Sequence, residues 1–430
     1  MKKELNFLFV TIDGGGNIPP VLGLARRLSE KGHKISVLTE PCLEATVKEY
    51  GLYYIPFQKH FTRTNRKEDI CKDWNASPFN EPTFDNIVFG PARIVVAETV
   101  KVLEQIPTDV IVVDILLPTA LIAGEYLQVP RVIVFHMPEY LPGPNIPPAV
   151  MGLLPGKGFF GHLRDKLLSK LFHFMLNKYL PLVNEVRKSY NLVRLERMVD
   201  LIHQADLRLI QTAKNFDFPI EPNPGNVKYT GPVLDDPDWV EPWQSPWPQG
   251  DPRPLVVVSF SSTFQNQVVV IRRCIEALKG LNVRGLFTLG LAIDQEKFEV
   301  PENIKVVTSA PHSQVFPLAD LVITHAGHGT IMRSLANGLP MICLPMGRDQ
   351  NGNAAKIAYH GCGIRLNKNA KPVEIRHSIL NILKNENFKQ KASLLQKEIK
   401  EEAAKNLAII ELENLGLNEL QHQTRKKIFN

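Results

Sequence analysis

Two series of short apolar runs, each run followed by an amphipathic stretch, constrain the fold of this chain more than any other feature. In the first series, LNFLFVTI precedes helical spacing from Pro20 to Lys31, which stops at Gly32. The second series restarts at PLVVVSF and continues through DLVITHAG, PMICLPM and CGIRL. Buried strands that alternate with helices are typical of parallel, doubly wound sheets. The pattern predicts an α/β protein with two similar domains.

A proline-rich segment separates the two series. Between Pro219 and Pro254 lie 10 of the 33 prolines, a composition that predicts an interdomain linker at 219–254. An N-terminal domain at 1–218 would precede it, with ADLRLIQT as its last strand. A C-terminal domain at 255–400 and a helical tail at 401–430 would follow. A length of 430 residues agrees with two domains of roughly 200 residues each.

Composition excludes several classes of protein. No apolar run reaches the roughly 20 residues of a membrane span, and the first run is too short for a signal peptide. The five cysteines are scattered and lack CxxC spacing, which predicts a cytoplasmic protein without disulfides or a zinc site. The net charge of +6 is spread along the chain without an aromatic-basic ribbon, so we expect no nucleic-acid partner.

The stretch from Thr324 to Gln350 is the most informative motif. An apolar strand ends in His325-Ala326-Gly327-His328-Gly329-Thr330, and helical spacing follows. At the carboxyl end of a parallel strand, such a turn exposes backbone N–H groups and the positive end of a helix dipole, which suit a phosphate or diphosphate. Thr330 could cap the helix, and His325 could donate a hydrogen bond or carry positive charge. A tight turn with a capped helix is the alternative.

The same stretch resembles the donor-binding signature of family 1 glycosyltransferases, the UDP-glycosyltransferase-like enzymes of GT-B fold. The matching positions are His325, Gly327, Thr330, Gly338, Pro340, Pro345, Asp349, Gln350 and Asn353. The resemblance implies two Rossmann-like domains whose parallel sheets face each other across a cleft. The acceptor domain would come first, the donor domain second, and a C-terminal helix would cross back.

The resemblance also implies roles for individual residues of a donor site. The turn residues His325, Gly327, His328, Gly329 and Thr330 would hold the diphosphate. Asp349 and Gln350 would bind the sugar hydroxyls. The loop that carries His312 and Gln314 would lie against the base. The segment Ser261, Ser262 and Thr263 would reach the diphosphate, with helix capping as the alternative for its serines.

Two positions depart from the family pattern. Arg333 stands where many members have a glutamate that binds the ribose, and arginine has no acceptor atom. The ribose would then be held in another way, or Arg333 would neutralise phosphate, or the donor would carry a deoxyribose; a solvated helix arginine is the alternative. Asn17 stands where many members have the histidine that is the general base, and an amide cannot take a proton.

Three other residues are candidates for the missing base. Asp114, at the end of VIVVD, matches the aspartate that orients the family's histidine, and a helix N-cap is its alternative role. Asp13 and His136 also follow apolar runs. Asn17 itself could position the acceptor hydroxyl while stabilisation of the leaving group supplies the rate. An acidic acceptor would need little help from a base.

A DxD pair that could hold a metal ion occurs at Asp236-Pro237-Asp238, but within the proline-rich segment, where turn residues are expected. We therefore expect no metal and no cofactor, and a UDP- or dTDP-linked sugar as co-substrate. Phe159 to Leu180 has apolar residues at helical spacing with Lys and Arg between them. We expect it to shape the acceptor pocket, with Phe159, Phe160 and His136 as contacts. Peripheral membrane contact and core packing are the alternatives.

The resemblance implies an inverting, metal-independent hexosyltransferase that acts on a hydroxyl of a small or lipophilic acceptor, such as a polyketide or terpenoid. A sugar-nucleotide epimerase or hydrolase has the same fold but little support here. A non-catalytic nucleotide-sugar-binding helper protein is the alternative from another class, and Asn17 is its best argument. A monomer or a homodimer is expected.

Overall fold

The structure is a computed structural model that describes residues 3–66, 82–143, 146–218, 224–236, 240–290, 292–293 and 298–429, with side chains described to residue 419. The segment 67–81, which includes Cys71, lies outside this part of the chain. The four described cysteines, Cys42, Cys274, Cys343 and Cys362, are free thiols.

The first domain contains a seven-stranded parallel sheet in the order β3-β2-β1-β4-β5-β6-β7. Its strands are β1 (Asn6–Val10), β2 (Lys34–Thr39), β3 (Tyr53–Pro56), β4 (Val110–Asp114), β5 (Arg131–Phe135), β6 (Leu207–Ile210) and β7 (Val227–Tyr229). Its helices are α1 (Ile18–Glu30), α2 (Glu44–Glu49), α3 (Ala92–Gln105), α4 (Leu121–Tyr126), α5 (Gly158–Leu176), α6 (Leu180–Ser189) and α7 (Asp200–His203).

The second domain contains a six-stranded parallel sheet in the order β10-β9-β8-β11-β12-β13. Its strands are β8 (Leu255–Ser259), β9 (Arg284–Thr288), β10 (Ile304–Val307), β11 (Leu321–Thr324), β12 (Met341–Cys343) and β13 (Gly363–Arg365). The later helices are α8 (Val268–Leu278), α9 (His312–Val315), α10 (His328–Ala336), α11 (Gln350–Tyr359), α12 (Pro372–Lys384), α13 (Asn387–Ala404) and α14 (Leu407–Phe429). The predicted α/β class with two parallel sheets is confirmed.

Each sheet is buried on both faces. Successive side chains of a strand point to opposite faces, so Leu8 and Val10 enter one apolar cluster of the first domain while Phe7 and Phe9 enter the other. Leu255 and Val256 divide in the same way between the two clusters of the second domain. This double burial explains why the strands appear in the sequence as continuous apolar runs.

The first sheet extends beyond its predicted end. β7 lies inside the segment predicted as linker, and it pairs in parallel with β6 from Arg208 opposite Val227 to Ile210 opposite Tyr229. A strand of three residues beside prolines is too short to show a period in the sequence, which is why β6 was expected to be the last strand. Similarly, the predicted boundary at residue 400 falls within α13.

Helix α14 returns to the first domain. Ala408, Ile409 and Leu412 belong to the same apolar cluster as Leu5 and Phe7. The Glu413 carboxylate lies 3.4 Å from Lys31 Nζ and 3.1 Å from His33 Nε2. The second domain is therefore inserted between two parts of the chain that build the first. Within the described residues, no helix combines the length and the apolar character needed to span a bilayer.

Candidate active site

The carboxyl ends of the two sheets line one cleft between the domains. The segment Gly14–Asn17 after β1 and His136 after β5 lie on the N-terminal wall. Ser261 and Ser262 after β8, the turn after β11 and the segment Arg348–Gln350 after β12 lie on the C-terminal wall. Strand ends of parallel sheets are the usual position of ligand sites, because the loops there can vary without changing the core.

The glycines of the glycine-histidine turn lie close to two neighbouring side chains. A Cβ added to Gly327 would lie 2.6 Å from His325 Nε2, and one added to Gly329 would lie 2.8 Å from Arg333 Nη1. Ala326 has a φ of 70°, which completes the reversal before α10 begins at His328. The first N–H groups of a helix have no intrahelical acceptor, so this turn presents donors and a positive dipole end to the cleft.

Three histidines at the C-terminal wall, buried His325 and His328 and half-buried His312, are neutral at physiological pH. Burial lowers the pKa of His325 to about 3, and the charge of Arg348 acts in the same direction. Burial likewise lowers the pKa of His312 and His328 to about 3 each. The expected option of a positively charged His325 is therefore wrong, because a desolvated imidazole keeps its neutral form. His325 can still donate one hydrogen bond.

His328 and His312 also hold the wall together. His328 Nε2 donates to the carbonyl oxygen of Gln211 at 3.1 Å, which ties the start of α10 to the end of β6 in the other domain. The His312 ring stacks on Phe316 at 4.1 Å between centroids, and its Nε2 lies 3.3 Å from Ser259 Oγ. Both rings line the cleft.

Asn353 joins Asp349, the acid near the end of the motif, to the turn. Asn353 Nδ2 donates to Asp349 Oδ2 at 2.6 Å and to the carbonyl oxygen of Ala326 at 3.0 Å. Gln350 Oε1 accepts from the backbone N–H of Met346 at 2.8 Å, and Gln350 Nε2 donates to Gln265. Asp349 and Gln350 line the cleft, where burial raises the pKa of Asp349. Gln350 shapes the loop that presents Asp349.

Two arginines bring positive charge to the same wall. Arg348 lines the cleft and donates from Nη1 to Thr263 Oγ1 at 3.3 Å. Arg348 is not among the motif positions recognised in the sequence, although it directly precedes Asp349. Arg333 also lines the cleft but is largely buried, and it donates to the carbonyl oxygens of Leu234 and Asp235. Burial lowers the pKa of Arg333, yet a guanidinium stays charged in proteins. The alternative of a solvated Arg333 is therefore wrong.

The loop after β8 divides its three predicted residues. Ser261 and Ser262 line the cleft, whereas Thr263 does not. Thr263 instead accepts from Arg348 and lies against the first domain, where a Cβ added to Gly15 would come within 2.8 Å of its Cγ2. Its role is to support Arg348 and to close the gap between the domains.

Asn17 is fixed on the opposite wall by its own hydrogen bonds. Its Nδ2 donates to Asp114 Oδ2 at 2.6 Å and to the carbonyl oxygen of Ile12 at 2.7 Å. Its Oδ1 accepts from the N–H of Gly14 at 2.9 Å. The amide thus holds the glycine turn against Asp114.

Asp114 and His136 are brought together at the ends of neighbouring strands. His136 Nδ1 lies 3.4 Å from Asp114 Oδ1, and the imidazole lines the cleft. Asp114 is fully buried and accepts from Thr11, Asn17 and the backbone N–H of Leu116. Burial alone would raise the pKa of Asp114, but the positive form of His136 and these hydrogen bonds lower it below its usual value. Asp114 is therefore a carboxylate beside an imidazole.

Asp13 does not belong to this pair. Its carboxylate accepts from Arg66 Nε at 2.6 Å and from the N–H of Gly15 at 2.8 Å, and it is absent from the cleft lining. Its backbone carbonyl accepts from Arg63, which pairs with buried Glu40. The hypothesis of Asp13 as a base is wrong, because its carboxylate forms an ion pair behind the glycine turn.

An apolar chamber makes up the rest of the N-terminal wall. Its residues come from five separate segments, and none of them belongs to a motif. They are Phe84, Val88, Phe89, Ile115, Leu116, Met137, Tyr140, Leu141, Phe172, Leu176 and Ile202. Such a surface suits a lipophilic ligand. Helical spacing in α5 was the one sequence signal that pointed to any of them.

Three further predicted contacts are placed elsewhere. Phe159 and Phe160 are 75% and 83% exposed at the start of α5 and do not line the cleft; the other end of this helix does. Gln314 accepts from the backbone N–H of Trp243 and also lies outside the lining. These three predictions are wrong, because the resemblance fixed the segment but not the direction of each side chain.

The predicted DxD pair is only partly described. Pro237 and Asp238 lie outside the described residues, whereas Asp236 accepts from the N–H of Ser313 at the start of α9 at 3.3 Å. Within the described ranges, no group of three or more His, Cys, Asp or Glu side chains is arranged to hold a metal ion.

Known proteins resemble the chain along most of its length. Residues 286–413 match the family described as Erythromycin biosynthesis protein CIII-like, C-terminal domain. The 4'-demethylrebeccamycin synthase of Lentzea aerocolonigenes is 24% identical over 402 residues, which cover 91% of this chain and 94% of that protein.

Two solved structures share the fold. The glycotransferase of kitacinnamycin superposes with a TM-score of 0.74 at 18% identity, over 96% of this chain and 100% of that one. The glycosyltransferase VinC in complex with dTDP superposes with a TM-score of 0.65 at 15% identity, over 95% and 100%.

Proposed function

Because the chain belongs to the family 1 glycosyltransferases of GT-B fold, of the natural-product type, we propose that it transfers a sugar from a nucleoside diphosphate to a hydroxyl of a lipophilic acceptor. One observation carries the proposal. A helix N-terminus with its cationic neighbours lies on one wall of the cleft, and the Asp114–His136 pair lies on the other.

The C-terminal wall would bind the donor. The N-terminus of α10 and Arg348 meet the charge of a diphosphate, while neutral His325 donates one hydrogen bond to it. Asp349 accepts from sugar hydroxyls, in the position that Asn353 sets. The dTDP complex of a protein of the same fold supports a nucleoside diphosphate as the donor, UDP- or dTDP-linked.

His136 would be the general base. The acceptor O–H gives its proton to the imidazole as the oxygen forms a bond to the anomeric carbon, and Asp114 stabilises the resulting imidazolium. The bond from that carbon to the diphosphate breaks, and its electron pair leaves with the diphosphate. The separation of 3.4 Å is long for a hydrogen bond, and such pairs tighten when substrate binds.

The positions of the two walls support inversion as part of this proposal. The acceptor would attack from the apolar chamber beside His136, while the diphosphate departs toward α10 on the opposite side. A single displacement of this kind inverts the anomeric centre. Arg348, Arg333 and the helix dipole would balance the charge of the leaving group, which supports a hexosyl transfer without a metal ion.

The first experiment measures donor binding by saturation-transfer NMR with UDP-glucose, dTDP-glucose and GDP-mannose. We expect one donor to bind selectively, His325→Ala to weaken it, and Gln314→Ala to leave it unchanged. Absence of binding by all three, or equal binding by the two variants, would contradict the donor site. Release of nucleoside diphosphate with an acceptor panel then tests transfer.

A non-catalytic helper protein is the second candidate, favoured by the amide at position 17. It predicts donor binding without release of diphosphate from any acceptor, acidic phenols included. Turnover that depends on His136 would exclude it.

A further inference from the structure

Helix α5 exposes a row of large apolar side chains. Phe160 is 83% exposed, Phe174 is 77% and Phe159 is 75%, and Leu163 and Leu167 are exposed between them. The intervals from Phe160 to Leu163, Leu167 and Phe174 place these side chains on one side of a helix. We call this surface the apolar face of α5. Single exposed apolar residues are common, but a continuous row on one helix indicates a partner.

The exposed charges at and along α5 itself are positive. Lys157, Lys166 and Lys170 are exposed at or along the helix. The acidic residue of the helix, Asp165, is buried, where it pairs with Arg164 and accepts from the N–H of Gly156. The surface that α5 presents is therefore apolar and cationic. This combination suits an anionic lipid surface, into which aromatic side chains insert while lysines remain at the head groups.

The opposite side of the same helix lines the cleft. Phe172 and Leu176 are buried within it, and Phe172 contacts Tyr140 edge to face. A lipophilic molecule at the outer surface of α5 would thus be separated from the acceptor chamber by one helix. The charge of the face and its continuity with the chamber favour a lipid surface over a protein partner.

The loop before α5 holds the helix in this position. Arg365, at the end of β13, donates to the carbonyl oxygen of Gly152. Ala149 packs on α11 so closely that a Cβ added to Gly352 would lie 2.9 Å from its carbonyl oxygen. The exposed row is therefore displayed by a segment fixed to both domains.

We propose that α5 lies on an anionic membrane surface and that the acceptor enters the cleft from the lipid as a membrane-borne alcohol. The first part stands on the helix itself. The second part rests on the proposed glycosyl transfer and narrows its acceptor class.

Co-sedimentation with vesicles tests the first part without any sugar donor. We expect the full chain to bind vesicles of phosphatidylcholine with phosphatidylglycerol, to bind pure phosphatidylcholine much less, and to lose binding at high salt. The affinity of the double variant Phe160→Ser/Phe174→Ser for these vesicles should be lower by roughly 10-fold or more. Lys166→Glu/Lys170→Glu should lose the preference for anionic lipid. Leu394→Ser, which changes a 71% exposed leucine on α13, is the matched control and should bind like the parent.

Two results would overturn the proposal. One is equal sedimentation of the parent and both double variants. The other is a concentration-dependent dimer that Phe160→Ser/Phe174→Ser dissociates, since a second copy would then cover the face.

A transfer assay tests the second part. The double phenylalanine variant should keep its rate on a detergent-soluble acceptor and lose it on the same acceptor in vesicles. Equal loss on both would overturn lipid delivery. Vesicle binding without transfer to any acceptor would support the membrane-binding role of α5 and contradict the glycosyltransferase activity.

Discussion

The two walls of the cleft are built in different ways. On the C-terminal wall, polar residues close together in the sequence bind one another, as Asn353 does when it joins Asp349 to Ala326. On the N-terminal wall, apolar residues from distant segments form a chamber, with the polar pair Asp114 and His136 at its edge. A charged ligand requires donors in fixed geometry, whereas a lipophilic ligand requires shape, and many sets of apolar residues provide shape.

The walls also differ in the charge state of the titratable group at an equivalent strand end. β4 and β11 are each the neighbour of the first strand of their domain. Asp114, which ends β4, is kept charged by its partners, whereas His325, which follows β11, is kept neutral by burial. The first arrangement suits proton transfer and the second suits constant binding of a donor.

Replacement of His136 by alanine should have the largest effect on activity. A small effect would contradict the comparison of the two walls. We expect kcat on an alcohol acceptor to fall by about 10²- to 10⁴-fold, because the proton loses its acceptor. Donor binding should stay unchanged, since the donor lies on the other wall. A phenolic acceptor should lose less, as it needs less help from a base. An unchanged kcat for His136→Ala would assign the proton to another group.

Asn353→Ala should affect the donor wall alone. The substitution removes one hydrogen bond to a carboxylate and one to the Ala326 carbonyl, so we expect the KM for the donor to rise by roughly 10-fold or more. Asn303→Ala is the control, because Asn303 also binds backbone carbonyls but lies between α8 and β10, away from the cleft. Equal effects of the two on KM would mean that Asn353 contributes only stability.

The neutral histidines predict a pH dependence of stability. His312, His325 and His328 have a pKa of about 3 when folded, against the ordinary histidine value of 6.5. The unfolded chain therefore binds more protons, and the free energy of unfolding should fall as pH decreases from 6.5 toward 3. Each histidine adds about 1.4 kcal/mol per pH unit in this window.

Chemical denaturation at several pH values measures this slope. His328→Gln should reduce the slope by the contribution of one histidine, about 1.4 kcal/mol per pH unit. Gln314→Ala should leave the slope unchanged. A slope that His328→Gln does not alter would show that the buried imidazole is protonated in the folded protein.

The smallest effect is expected for Gln314. It binds Trp243 outside the cleft, so Gln314→Ala should change the KM for the donor less than about 3-fold, the loss of one exposed neutral hydrogen bond. Initial rates at a series of donor concentrations measure this KM. A much larger change would place the base of the nucleotide nearer α9 than the cleft lining indicates.

Most of the fold and half of the site could be predicted from the sequence. The apolar runs indicated both sheets because burial on two faces leaves a clear pattern, whereas three-residue β7 did not. The turn from His325 to Thr330 was recognisable because its histidines and glycines follow one another in the sequence. Arg348 was missed because it belongs to no pattern, and Phe159 and Phe160 were misplaced because helical spacing does not say which face meets the cleft.

The return of α14 has a consequence for synthesis on the ribosome. Leu5 and Phe7 are translated before the second domain, but Ala408, Ile409 and Leu412, which share their apolar cluster, are translated after it. Translation proceeds at about 5–20 residues per second, so this apolar surface of the first domain stays uncovered for tens of seconds. Of the two domains, the one that is translated first is thus completed last. We expect a nascent-chain chaperone to bind its uncovered apolar surface.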